Sequence, residues 1–238
     1  MNFELSMTQF TQIITAIGGL GTAAFGLLEA IKPVCPLINR IGFGGIRKTV
    51  SSLTPPEAGA KAPINALPSA KVLESLEANW VNGTDLASQK AIAKSLIKLH
   101  LSAGNAPALA AAANVDPTLL TASATSTTSG TALTQQQSDA YSRFDLIVTA
   151  MLDECYQRSD QVYRNWTRGL AAAIAVILAA VGGYTIESGN MALTSYLTSA
   201  DFGRALLAGL LATPLAPIAK DISTALATAV NTMQLFKK

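Results

Sequence analysis

The stretch GLAAAIAVILAAVGGYTI at residues 169–186 carries no charged side chain and directly follows Arg158, Arg164 and Arg168. About 20 apolar residues in a helix cross the hydrocarbon core of a bilayer, and basic residues collect on the flank that stays in the cytoplasm. The stretch therefore reads as a membrane span entered from the cytoplasmic side. The composition of the chain agrees: its 238 residues are 50% hydrophobic and 13% charged, well below the charged fraction of about 25% usual in soluble domains. The net charge of +2 argues against nucleic acid as a partner, because such a protein gathers Lys and Arg on one face.

Upstream of the span, Tyr141, Phe144, Val148, Met151 and Cys155 recur at alternating intervals of three and four, and Val162 and Trp166 resume the register beyond Arg158. A repeat of this kind makes an apolar seam on a helix, as in a coiled coil or bundle. Neither Pro nor Gly lies between the seam and Gly169, so one helix is expected from near residue 136 to near 184. It would be about 70 Å long at 1.5 Å per residue. Its seam must be covered by the short helices at 69–113 or by copies of itself.

The preceding region divides at its prolines. A first span is expected over about Phe10 to Leu28, closing at Glu29 and Lys32 before Pro33 and Pro36. Residues 37–53 place Ile38, Ile41, Ile46 and Val50 opposite Arg40, Arg47 and Lys48, a pattern that suits a helix lying among lipid headgroups with those three basic residues binding lipid. Residues 54–68, rich in Pro, read as an extended linker. Helical spacing returns over Ser69 to Trp80 and Asp85 to Leu101, joined by an Asn82-Gly83 turn with Asp85 as N-cap. A short helix follows over Ala106 to Ala113, and the polar run Ser123 to Ser129 reads as a flexible loop.

Past Ile186, residues 187–203 contain no Lys or Arg and read as an outer loop. A third span is expected from Ala205 to Ala219, kinked by Pro214 and Pro217. An amphipathic tail through Ile222, Leu226, Val230, Met233 and Phe236 would follow. The fold class is thus an all-α integral membrane protein: three transmembrane helices, a cytoplasmic helical module, and a long helix continuous with the second span. Its parts are 1–53 (first span and basic segment), 54–68 (linker), 69–168 (module) and 169–238 (hairpin and tail). Basic residues flank the middle region and are absent from residues 1–9, which puts the N-terminus outside a cell (inner) membrane and the C-terminus in the cytoplasm.

Chemistry-bearing constellations are sparse. His100 is the one histidine, without companions at ligand spacing, and Gly44-Gly45-Ile46-Arg47-Lys48-Thr49 lacks the Gly-Lys order and the leading strand of a phosphate loop. Cys35 and Cys155 would both stay reduced on the cytoplasmic side. No ionisable group falls inside a span, which disfavours coupled transport. No enzyme activity, cofactor or metal is expected. What the spans share is small residues at every fourth position: Gly18, Thr22 and Gly26; Ala175, Ala179 and Gly183; Ala205, Gly209 and Thr213. Such stripes let helices approach closely in lipid.

Three fragments resemble uncharacterised bacterial inner-membrane proteins with a cytoplasmic helical domain. They are the span-ending Glu29 with Arg40 beyond it; Met151, Asp153, Tyr163 and Arg164 before a later span; and Leu210, Leu211, Thr213, Ala216, Pro217 and Asp221 at the last span. The resemblance implies topology and no activity. Function is accordingly expected to be non-enzymatic: a homo-oligomeric scaffold or docking assembly, or alternatively an oligomeric pore that depolarises the membrane. Its subunit contacts would be Tyr141, Phe144, Val148, Met151, Cys155, Gly18, Gly26, Ala175, Ala179, Gly183 and Gly209. Membrane lipids and further copies of the chain are the expected partners.

Overall fold

A computed structural model describes residues 7–55, 68–187 and 192–217, and every regular element among them is helical. In chain order these are α1 (Met7–Ile31), α2 (Pro36–Asn39), α3 (Phe43–Ser52), α4 (Ser69–Val81), α5 (Leu86–His100), α6 (Ala106–Ala113), α7 (Pro117–Ser129), α8 (Gln135–Glu187) and α9 (Leu193–Leu197). A last helix, α10, covers 200–217 and continues through Pro214. The central part of the linker and the amphipathic C-terminal tail lie outside the described residues. Two of the helices are long and apolar enough to cross a membrane, over Gln9–Ile31 and within Gln135–Ile186.

The chain divides into two compact units, one comprising Pro36–Arg164 and the other Met1–Cys35 with Asn165–Lys238. The first is a helical module whose core is built on the N-terminal part of α8. Phe144, Val148, Leu152 and Tyr156 are buried there with Val72, Leu76, Ala93, Ile97, Leu109 and Leu120 from the shorter helices. Charge closes the α5 side, where Lys90 meets Asp153 at 2.5 Å, and Lys94 and Lys98 meet Asp145 at 2.6 and 3.1 Å. On the α4 side the Trp80 indole donates to the Ile41 carbonyl at 3.2 Å and its ring stands edge-on to Tyr163. Asp85 caps α5 as its spacing implies, accepting from the Ser88 amide, and Gly83 makes the turn before it with φ +69°.

Residues 36–53 belong to this module rather than to a headgroup-level helix attached to the first span. Phe43, Ile46, Val50 and Leu53 are buried in the module's core, because the apolar stripe of α3 has a protein partner to cover it. The boundary expected at residue 53 accordingly falls at Cys35.

The Ser/Thr run 123–129 is helix, not loop. Asp116 caps it by accepting from the Leu119 amide, and Pro117 opens it with its φ already set for a helix. Thr121, Ser123, Thr125, Thr127 and Thr128 each turn their hydroxyls back to the carbonyl four residues earlier. That geometry satisfies polar side chains without water, while Leu120 and Ala124 anchor the helix in the core. It ends at Gly130, in the left-handed region at φ +69°, with the Thr131 amide bonded to the Ser126 carbonyl.

In the other unit, α1, the C-terminal part of α8 and α10 meet through their smallest residues. Ala24, Ala175 and Ala212 are fully buried, with Ile17, Leu20, Ile174 and Leu178 packed around them. A methyl group on Gly209 would sit 2.5 Å from the Val176 Cα, and one on Gly21 would collide with the Ala212 carbonyl. At one end of the unit Tyr196 packs between Tyr184 and Phe202, its ring centroid 5.5 and 5.6 Å from theirs.

Truncation separates core from surface in the module. Phe144→Ala should destabilise the full-length protein in detergent by about 3–5 kcal/mol, the usual cost of an emptied aromatic site. Leu146→Ala, at a position 69% exposed, should stay within about 0.5 kcal/mol; thermal unfolding by circular dichroism compares the two.

Candidate functional site

The eleven positions expected to join subunits are sorted by the structure into three environments. Phe144, Val148 and Cys155 are buried in the module's own core, with Tyr141 and Met151 packed against it. The seam therefore packs largely against α3 to α7, which include the short helices at 69–113 expected to cover it, with Tyr141 and Met151 only partly buried. Its register also drifts. Beyond Val148 the buried positions are Leu152, Cys155, Tyr156 and Ser159, while Val162 and Trp166 are 40% and 59% exposed. A straight helix turns once in 3.6 residues, so a 3.5-residue pattern slides off the face after two heptads.

The second environment is the three-helix unit itself. Ala175 is fully buried, and Ala179 is partly so. Gly183 gives room to the Tyr196 ring and Ala205, and Gly209 lies on the Val176 backbone. Gly18 is buried as well. These residues hold one subunit together, and the α1 stripe in contact is Gly18, Gly21, Ala24 and Leu28 rather than Gly18, Thr22 and Gly26.

Gly26 is in the third environment. A methyl built on it, or on Gly19, has no neighbour within 4 Å. The outward face of α1 carries Gln12, Gly19 and Gly26, then Thr15, Thr22 and Glu29, then Ala16, Ala23 and Ala30, all of them exposed. Each triplet repeats at seven residues. The large exposed residues of this helix, Phe10, Ile13, Leu27 and Ile31, lie off that face. α1 is thus small on two opposite surfaces, and one of them has no partner among the described residues. The signal was present in the sequence as a seven-residue repeat, which a search for fourth positions passes over.

The basic residues assigned to lipid also divide. Arg40 and Arg47 both reach Glu77 on α4, at 2.8 and 2.7 Å, tying α3 and the preceding turn to α4 while remaining more than half exposed. Lys48 instead lines a groove between α3 and α8, of about 660 Å³, together with Gly44, Ser52, Glu154, Arg158 and Ser159. Gly42 forms the sharp turn before α3 at φ +90°, and a side chain there would strike the Ser159 carbonyl. Burial pushes the Cys155 thiol on the wall of this groove up to about 11, which disfavours the thiolate at neutral pH. His100 is structural: its Nε2 is 2.9 Å from the Pro55 carbonyl at the end of α5. Among the described residues no group of three or more His, Cys, Asp and Glu side chains gathers.

Comparison with family models, with curated proteins and with solved structures finds no match to this chain. The functional reading therefore rests on the surfaces just described.

One electrostatic feature is measurable directly. Burial raises the Asp145 carboxyl, but the Lys94 and Lys98 ammonium groups outweigh it and hold the group below its ordinary value; the bond to Asp145 correspondingly raises Lys98. A carboxylate held down in this way stabilises the fold above its unfolded-state pKa and loses that contribution as pH falls through the lower folded value. The stability gap between the wild type and Asp145→Asn, on the order of 1 kcal/mol for a partly exposed cluster, should be constant near neutrality. It should close on acidification through the carboxylate range, as followed by thermal midpoints.

Proposed function

We propose that this chain is a non-enzymatic integral membrane protein of the cell (inner) membrane that self-associates through α1 and displays its helical module as a docking surface in the cytoplasm. The observation that carries the membrane assignment is an inverted distribution of side chains. Where α1, α8 and α10 meet, the buried cluster is of alanines, Leu28 and Tyr196 being the large side chains fully buried in the unit, and the exposed residues include Phe10, Ile13, Leu27, Ile177, Val181, Leu207, Leu210 and Leu211. In water such a bundle would bury little and expose a large apolar surface. In lipid it is the favourable arrangement, since association there depends on close backbone packing and large aliphatic groups face the chains. On this reading α10 is the third span, and the Tyr184, Tyr196 and Phe202 cluster lies at the outer interface where aromatic rings concentrate. The absence of Lys and Arg from residues 1–9 and 187–203 supports an external N-terminus, and the resemblance to bacterial inner-membrane proteins supports the same topology.

Self-association rests on the outward face of α1. A lipid-facing helix gains nothing from glycine, whereas an intersubunit contact does, and a seven-residue repeat of small groups keeps facing the same neighbour in a left-handed pair. Gly19→Leu with Gly26→Leu should lower the particle mass in detergent, read by light scattering, without loss of helix content. Gly21→Leu, which collides inside the subunit, should lower the melting temperature instead. Unchanged mass in the first variant would remove α1 from the interface and leave the membrane assignment intact.

The alternative, a pore, is favoured by one feature: Gln12, Thr15 and Thr22 place polar groups on that same face. A ring of such helices would enclose them as a lining. Purified protein in liposomes should then pass small ions, with flux abolished by Thr15→Leu and Thr22→Leu together. An oligomer without flux identifies the scaffold.

A further inference from the structure

Within the helical module the basic side chains of α5, with Arg40 and Arg47, are each matched by a carboxylate. The groove between α3 and α8 is built differently. Lys48 enters it from one helix and Arg158 from the other, and neither forms an ion pair with any described residue. Ser159 lies on its wall, only 3% exposed, and brings a hydroxyl, a hydrogen-bond donor, to the groove. The groove also has room, about 660 Å³, within the range that encloses a small organic ligand. Gly44 contributes to that room, because its missing side chain leaves open space.

We propose that this groove binds a phosphate ester, carried either by a lipid headgroup or by a small soluble molecule. Two cations from facing helices with a hydroxyl donor beside them match the several acceptor oxygens of a phosphate, and a guanidinium can engage two of them at once. Glu154 lines the same groove and opposes the anion, which sets the affinity low and makes it sensitive to salt. The soluble form of the proposal is independent of self-association and of the membrane assignment, so its outcome does not depend on either.

The test uses the full-length protein in an uncharged detergent, titrated calorimetrically with inorganic phosphate and with glycerol 3-phosphate. In parallel, native mass spectrometry of protein from phosphatidylglycerol and phosphatidylcholine nanodiscs reads retained lipid. Binding of glycerol 3-phosphate identifies a soluble ester, and selective retention of phosphatidylglycerol identifies a headgroup; either supports the proposal. Lys48→Met and Arg158→Met should each weaken binding about tenfold, while Lys71→Met on α4 leaves it unchanged. Glu154→Gln should tighten it about fivefold by removing a like charge. Gly44→Leu should block the groove with the thermal midpoint maintained, since no atom lies where its side chain would begin. Failure of inorganic phosphate, glycerol 3-phosphate and phosphatidylglycerol alike to bind, or equal binding by the Lys48 and Arg158 variants and the wild type, would overturn the assignment.

Discussion

Everything in this fold hangs on α8 remaining one helix while the demands on its side chains change along its length. Its first half places Phe144, Val148, Leu152 and Tyr156 among the larger apolar residues of the short helices, where burial of bulk is what stabilises. Its second half contributes Ala171 and Ala175 to a unit in which proximity is what stabilises. Backbone hydrogen bonds are satisfied internally throughout, so the helix can pass between these regimes without a break. An interruption by Pro or Gly near Arg158 to Arg168 would separate the two halves, and the sequence has neither there.

The module shows how a chain with few charges spends them. Glu77 serves two arginines and Asp145 two lysines, so a small number of carboxylates each joins a pair of cations across helices. Such partly exposed pairs add little individually. Their effect is to fix which side of α5 faces α8 and which side of α4 faces α3, while the apolar contacts supply the energy. The hydroxyl-rich α7 follows the same economy, since its Ser and Thr side chains are satisfied by their own backbone and need no partner elsewhere.

Where reading the sequence succeeded, the signal was periodic and long. The continuous α8, the α4 and α5 pair, the cap at Asp85 and the all-helical class follow from spacing alone. Residues 37–53 went astray because an amphipathic stripe states only that an apolar face will be covered. Lipid and protein satisfy it equally, and Phe43, Ile46 and Val50 found protein. The Ser/Thr run misled for a related reason: its composition is that of a loop, but a cap at Asp116, a proline at the first position and two buried anchors outweigh weak intrinsic propensity. The seam packs largely within its own module, and its repeat alone carries no information about whether its complement is on the same chain.

The small residues of α1 pose that last ambiguity in a sharper form, and here geometry discriminates. Gly21 and Gly26 are the same residue type on the same helix. One admits the α10 backbone so closely that a single methyl group would be excluded, and the other faces open space. Glycine costs helix stability of about 1 kcal/mol relative to alanine, so a contact must offset it wherever it is retained. Gly21 has its contact within the subunit. Gly19 and Gly26, which share a face with Thr22 and Ala23, have no such contact among the described residues; the proposed self-association would supply it. That face, open among the described residues, is the one on which the proposed self-association rests.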